Sequence, residues 1–368
     1  MRPEPIPVLV TAIGGGGHGE QILKALRLAP AGSYFIVGAD ANPYCPQFAL
    51  VDRAVTLPRA DAPEFLDAVL SVCARLKIRA VFHGCEPELR VYSEQRQRFA
   101  ERGILLPINP AEVINIGFDK VATAEFLARN GFPFPRFRAV RSAADLEGID
   151  WFPVVVKPAV GSGGSKNCFI AQTPRQLSLL AEYLAIESAG FMVQEYVGTP
   201  DGEYTVGVLH DLDGKFINSI ALRRELKSQL NIRAAATNVT GRSELGSTLV
   251  ISSGISHGYV DRFPEVTGPC ERMAAALGVR GAINFQCRLV DGKVMIFEIN
   301  PRFSGTTSIR AMMGYNEPDL LLRRHLRGEI LTPRFAYRSG MVLRSLTETL
   351  VPAEPAMSWR ALLPTEAA

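Results

Sequence analysis

Apolar and polar positions along this chain follow several rhythms. Up to about residue 115, apolar strand-like runs at 8–13, 34–39 and 79–83 alternate with helical patterns, the first at 20–28. That βαβ rhythm predicts a parallel sheet carrying ligands at the C-terminal ends of its strands. A helix follows over 121–130, with Asp119 as its N-cap, Gly131 closing it, and Pro133 and Pro135 beyond. Residues 152–158 and 191–197 read as apolar strands, and about 126–200 as a small lid of two helices on a short antiparallel sheet. Residues 201–335 supply a larger sheet and a helix after Pro318. The tail resumes as a strand at 340–346 and is poorly patterned and loose from Pro352. No internal repeat is visible.

The most regular alternation lies at 283–289 and 293–299, on either side of Val290-Asp291-Gly292, and predicts a β-hairpin. Met295, Phe297 and Ile299 form one apolar face and Phe285, Cys287 and Leu289 another, which leaves Asn284, Gln286, Arg288, Glu298 and Asn300 on polar faces. A two-residue Asp-Gly turn would pair Val290 with Lys293 and put Gln286 and Glu298 on opposite faces. A three-residue loop pairs Leu289 with Lys293, sets Glu298 opposite Asn284 with Gln286 diagonal to it, and merges the apolar faces. The second register is expected.

At 368 residues and 47% hydrophobic, the chain can bury more than one core. The net charge of +3 is too small to argue for nucleic acid or an anionic membrane surface. The N-terminus lacks a signal-like apolar region, and no apolar run is long enough to span a bilayer. Six cysteines without C-x-x-C spacing read most simply as reduced thiols of a cytoplasmic protein.

The candidate chemistry concentrates at the end of the hairpin. Gln286, Glu298 and Asn300 offer one carboxylate and two amide oxygens, and Arg302 follows in Glu298-Ile299-Asn300-Pro301-Arg302. Oxygen donors suit Mg²⁺, which shares its shell with substrate phosphates, and a guanidinium suits a phosphate, so nucleotide chemistry is suggested. An amphipathic hairpin with a polar outer face explains the alternation equally well, but not that order of residues. Gly161-Ser162-Gly163-Gly164-Ser165-Lys166 directly follows a strand ending in Lys157. Small residues let backbone amides and hydroxyls close over phosphates, and no P-loop ending is present. Arg224, in a basic stretch with Arg223, Lys227 and Arg233, is a candidate active-site cation or part of a solvated strand edge. His257 is left as structural.

A rival reading starts from Gly14–Gly19, which satisfies G-x-G-x-x-G, with Asp40 at ribose-contact distance in sequence. It would make the chain a nicotinamide-dependent oxidoreductase, but it leaves the hairpin and the second Gly-rich loop unexplained.

From the first strand to about residue 330, these segments occur in the order found in ATP-grasp enzymes, and the chain resembles the synthetase halves of carbamoyl-phosphate synthetase. The resemblance implies an α/β fold with an α+β lid: a Rossmann-like N-terminal domain over 1–115, then a two-part ATP-grasp domain. Its small or lid subdomain, with a linker helix, would occupy 116–200, and the large subdomain with the tail 201–368. It further implies that Gln286, Glu298 and Asn300 hold the metal and that Arg302 and Lys157 contact phosphate. Lys120 would lie near the nucleotide, Glu195, Tyr196 and Val197 at the adenine hinge, and Glu203 at the ribose.

The expected cofactors are ATP and Mg²⁺, two ions, with Mn²⁺ as a substitute. The expected reaction activates a carboxylate as an acylphosphate and joins it to an amine, with Arg302, Arg224 and Lys157 as the catalytic cations. Substrate recognition would come from Gly16 and His18, from Glu86 and Glu88, and from Ser304. The two glutamates could hold an amine or cap the following helix. The partners are small molecules, neither nucleic acid nor membrane, and a homodimer is compatible. A true carbamoyl-phosphate synthetase would need two synthetase halves and an ammonia source, and this chain shows one half and no visible amidotransferase; biotin-carboxylase-like use of bicarbonate and a non-catalytic ATP sensor are the other readings.

Overall fold

The structure is a computed structural model that describes residues 4–161, 165–187 and 190–363. The N-terminal region runs β1 (Ile6–Val10), α1 (His18–Arg27), β2 (Tyr34–Asp40), β3 (Arg53–Thr56), α2 (Phe65–Arg75), β4 (Ala80–Phe82), α3 (Glu86–Glu94) and α4 (Arg96–Ala100). Its four strands form a parallel sheet in the order β3-β2-β1-β4. The expected parallel sheet is therefore present, with an additional edge strand, β3, which its four residues were too few to announce. Glycines set the loop geometry at the strand ends. A Cβ on Gly84 would lie 2.0 Å from the Thr11 carbonyl, and one on Gly19 2.4 Å from that of Ala12. The two glycines thus let α1 and the loop after β4 close onto the end of β1.

Two helices, α5 (Ala111–Phe118) and α6 (Lys120–Arg129), lead to the lid: β5 (Phe137–Val140), β6 (Val154–Pro158), β7 (Phe169–Ala171), α7 (Pro174–Glu187) and β8 (Phe191–Glu195). The lid sheet is antiparallel, in the order β5-β8-β6-β7. Two helices were expected against this sheet, but among the described residues only α7 packs there. Phe126 and Leu127 of α6 bury their side chains in the core of the larger sheet instead.

That larger sheet is built from β9 (Glu203–His210), β10 (Phe216–Arg224), β13 (Gly258–Asp261), β14 (Ala282–Val290), β15 (Lys293–Asn300) and β16 (Gly340–Val342). Their order is β15-β14-β9-β10-β13-β16, with every pair antiparallel. A separate ribbon pairs β11 (Ile232–Thr237) with β12 (Thr248–Ser252). Helices α8 (Pro264–Leu277), α9 (Thr307–Met312) and α10 (Glu317–Leu326) complete the subdomain.

One core crosses the domain boundary. Val8, Val10 and Ile22 of the N-terminal region bury together with Ile220 and Leu222 of β10 and Leu321 of α10. The opposite face of the parallel sheet has its own core with α2, the larger sheet has one with α8, and the lid has another. The tail strand is shorter than expected, ending at Val342, and beyond Pro352, where a loose stretch was expected, described residues dock on the N-terminal region. Thr56 N donates to the Met357 carbonyl at 2.8 Å, and Trp359 and Leu362 pack against the α2 side of the parallel sheet. An aromatic ring with a hydrophobic site to cover docks a segment that has no periodic pattern of its own.

Candidate functional site

The hairpin forms, but by a different route from the one its pattern suggested. Asp291 and Gly292 both take positive φ, 48° and 72°, and Val290 pairs with Lys293 across a two-residue turn. Asp-Gly suits that turn, whose twist matches the flanking strands. The expected Leu289–Lys293 pairing is thus overturned. A bulge then shifts the register: Cys287 pairs with Ile296, but Gln286 pairs with Glu298. Phe297 is the extra residue, and it returns Glu298 to the face of Gln286. The expected apolar face also changes. Val294, Ile296 and Ile299 enter the core, while Met295 stays outside it and Phe297 lines a pocket.

That pocket lies between the lid sheet, β12 and the hairpin. Lys120, Lys157, Ser165, Glu195, Tyr196, Val197, Glu203, Gln286 and Glu298 all line it, so nine of the candidate residues meet at one cleft. Each arrives by a local device. Asp119 caps α6 by accepting from Val121 N (2.8 Å) and Ala122 N (3.2 Å), which presents Lys120 on the first turn. Lys157 ends the Val154-Val155-Val156 run of β6, a β-branched strand that fits a buried sheet. Its Nζ donates to Gln194 Oε1 (2.7 Å) and to the Phe297 carbonyl (3.0 Å). Burial, and then the charge of Lys120, pull its pKa down to about 8.

Ser165 donates its hydroxyl to the Ser252 carbonyl at 2.8 Å, which ties the end of the Gly-rich loop to β12. Gly161 stands exposed at the start of that loop with φ of 80°. Ser162, Gly163 and Gly164 lie outside the described residues.

At the opposite end, Glu195 pairs with Arg242 (3.2 Å). Tyr196 lies under the Arg288 guanidinium, 4.4 Å from ring centroid to Cζ, and its hydroxyl accepts from Val250 N at 2.8 Å. Arg288 also donates to the Val197 carbonyl at 3.1 Å. Glu203 is not a solvated carboxylate. It is buried and faces Arg288 (3.0 Å) and Arg224 (3.3 Å). Its Oε1 has no hydrogen-bond partner among the described residues.

Arg224 is buried rather than on a solvated strand edge. It donates to Ser252 Oγ, to the Ser253 carbonyl and to the Ile255 carbonyl, and it does not line the pocket. Its bonds hold the 252–255 segment, so the structure gives it a positioning geometry in place of the expected contact with the reacting groups. His257 bonds Asn231 and the Arg344 amide, as a structural histidine would.

The remaining candidates gather on the N-terminal side. Arg302 donates to Asn300 Oδ1 (2.8 Å) and Glu86 Oε1 (3.0 Å), bridging the hairpin end to the start of α3. Its Nε is buried without a partner among the described residues. His18 stacks edge-on against His83, with Nε2 3.1 Å from His83 Nδ1. Burial and then the Arg302 charge hold both imidazoles well below their ordinary pKa, His83 at about 3.

The two glutamates part ways. Glu88 accepts from Gly84 N (2.8 Å) and Thr11 Oγ1 (2.7 Å), tying the helix start to β1, and burial raises its pKa to about 7. Glu86 faces Arg302 instead. Ser304 spends its hydroxyl on Thr306 within the α9 entry turn, and Gly16 holds φ of 74° in open space. Asp40 accepts from Gly14 N (2.8 Å) and Asn42 N (2.9 Å), so it buttresses the Gly-rich turn.

Sequence reasoning missed Arg288, Phe297, Gln194, Cys168, His83 and the β12 segment Val250-Ile251-Ser252. Arg288 occupies a polar position of the alternating hairpin, which was a readable signal. The others lie on strands or loops that read as plain core.

The donor set fits a hard cation. Gln286 and Glu298 are direct cross-strand partners, and Asn300 lies two residues beyond Glu298. Glu298 makes no ion-pair contact among the described residues, and Asn300 Oδ1 keeps a second lone pair beside its bond from Arg302. No cluster of three or more His, Cys, Asp or Glu able to hold a metal occurs among the described residues.

Comparison with known proteins bears on the family and the fold. Residues 250–349 match the family described as ATP-grasp in the biosynthetic pathway with Ter operon, and residues 9–107 match the PylC-like N-terminal domain. The large chain of carbamoyl phosphate synthase from Thermotoga neapolitana is 25% identical over 283 residues, covering 70% of this chain and 24% of its own length. The chain thus spans about a quarter of that relative. Biotin carboxylase from Campylobacter jejuni, solved as a β-γ-ATP complex, superposes with a TM-score of 0.64 at 15% identity, over 91% of this chain and 74% of that one. An L-amino acid ligase from Bacillus licheniformis does so with 0.59 at 18% identity, over 89% and 75%.

Proposed function

Because the chain belongs to the ATP-grasp ligases, related to the synthetase halves of carbamoyl phosphate synthase, we propose that it activates a small-molecule carboxylate with ATP and joins it to an amine. The observation carrying this reading is the pairing of Gln286 with Glu298 over a cleft that also holds Lys157 and Lys120. The adenine and ribose would lie toward Glu195, Tyr196, Val197 and Glu203. Lys157 and Lys120 would hold the phosphates, and Ser165 would anchor the loop over them. Gln286, Glu298 and Asn300 would hold Mg²⁺, which when bound neutralises charge on the phosphate oxygens.

Arg302 would hold the substrate carboxylate beyond the phosphates, where it already bridges Asn300 and Glu86. A carboxylate oxygen then attacks the γ-phosphorus and ADP leaves; amine nitrogen next attacks the acyl carbon and phosphate leaves. Catalysis rests on positioning and charge neutralisation, so no protein nucleophile is required. The neutral His18–His83 pair, between Arg302 and the Gly-rich turn, would shape the acceptor end.

An assay of ADP release over pooled carboxylates and amines with Mg²⁺ tests this. Turnover should need one member of each pool and fall about 100-fold or more in Glu298→Ala, since even supporting groups of a metal site typically carry 10–100-fold. Release driven by bicarbonate alone would select the carboxylation reading. Hydride transfer to a nicotinamide without ADP would overturn both.

A further inference from the structure

Arg288 lines the proposed nucleotide cleft, yet its guanidinium is fully engaged within the protein. It is buried on β14, two residues beyond Gln286. Nε and Nη2 donate to Glu203 Oε2, at the first residue of β9, over 3.1 and 3.0 Å. Nη1 donates to the Val197 and Gly198 carbonyls at 3.1 and 3.3 Å, and Nη2 donates a second time to the Val250 carbonyl of β12 at 2.9 Å. Each N–H of the fork thus has an acceptor, and the group also covers the Tyr196 ring. No donor is left over for a phosphate.

The acceptors belong to three separate segments: the connection from β8 to β9, the start of β9, and β12. Three of them are backbone carbonyls, so the side chain fixes main-chain positions around the cleft. A planar fork with set donor directions does this where a single flexible ammonium does not. The connection is also fitted closely to β14. Gly198 takes φ of 61°, and a Cβ there would lie 2.6 Å from Val290 Cγ2; one on Gly202 would lie 3.1 Å from the Leu289 carbonyl. Val197, whose carbonyl Arg288 holds, itself lines the cleft. At the other end Lys157 is held by Gln194 and the Phe297 carbonyl, independently of Arg288.

We propose that Arg288 is a positioning residue that sets base selectivity, by holding the 197–198 connection against β14 in the geometry that reads one purine edge. The inference rests on the reading of this cleft as an ATP site. A site built to hydrogen-bond one base rejects another because its polar groups are then left unpaired, and that rejection is lost when the groups shift. Contacts to the phosphates are common to all nucleotides and should survive.

Calorimetric titration of MgADP and of MgGDP into the full-length chain tests this, with nucleotide-free thermal unfolding to show that each variant is folded. The wild-type protein should prefer MgADP. In Arg288→Met the ratio of the two affinities should fall about tenfold or more, chiefly through weaker MgADP. Arg288→Lys keeps a charge beside Glu203 but lacks the fork, so it should fold and lose the preference too. Gly198→Ala leaves Arg288 intact and lifts the connection off Val290, and it should lower the ratio in the same direction. An unchanged ratio in folded Arg288→Lys or Gly198→Ala, or proportional weakening of both nucleotides, would mean a merely structural arginine and overturn the proposal. Equal affinity of the wild-type protein for both nucleotides would overturn it while leaving the ATP site standing; binding of neither would remove the ATP site itself.

Discussion

Lys157 is the residue on which the proposed nucleotide cleft turns. Its ammonium is buried between the Gln194 amide oxygen and the Phe297 carbonyl, and burial followed by Lys120 brings its pKa from 10.5 to about 8. With the folded value below the unfolded one, the unfolded chain binds more protons between those two values. The free protein should therefore gain stability as pH rises from about 8 toward 10.5, and carry the full cost of the buried charge below 8. A polyphosphate beside the ammonium reverses the shift, so MgADP binding slightly above pH 8 should take up a proton. Calorimetry in two buffers of different ionisation heat measures this. Lys157→Met should abolish the uptake and weaken MgADP about tenfold or more; a wild-type protein that takes up no proton would place the phosphates elsewhere. Lys157 and Glu298 were legible because a charged residue closing an apolar strand needs a reason. Arg224 and Arg288 were not legible as a pair about Glu203, since their partner comes from another strand and only the folded sheet brings the three together.

At the scale of elements, the hairpin separates what is local from what is not. Asp291-Gly292 dictates its own turn, because both residues accept positive φ cheaply and the I′-type geometry matches strand twist. A β-branched side chain does not accept it, so Gly292→Val should cost on the order of 1–3 kcal/mol in denaturant unfolding. An unchanged midpoint there would mean that the turn is not the one described. The bulge at Phe297 had no such signature. Period-two reasoning assumes an unbroken ladder, and under that assumption only the three-residue loop merges the apolar faces. The protein reaches the same meeting of Gln286 and Glu298 with a tight turn and one extra residue. That residue also turns its carbonyl to Lys157 and its ring to the cleft.

On the scale of the whole molecule, the N-terminal region and the large sheet share one core while the lid keeps its own. The tail then returns to the far face of the parallel sheet, where Trp359 and Leu362 cover the α2 side. Trp359→Ala should lower unfolding free energy by about 1–3 kcal/mol, the worth of a large apolar side chain that is only partly buried. MgADP affinity should stay unchanged, because the indole is remote from the cleft; thermal unfolding with and without MgADP would show it, and a loss of affinity would refute the separation. The amino-acid order by itself determined the alternating elements, the Asp-Gly turn, the capped helix that carries Lys120, and the oxygen donors at the strand end. These depend on backbone preference and on neighbours a few residues away. The tertiary structure alone decided the bulge, the two arginines about Glu203, the division of labour between Glu86 and Glu88, and the docking of the tail. Each of those is settled by packing and charge compensation between segments scores of residues apart, where local pattern carries no information.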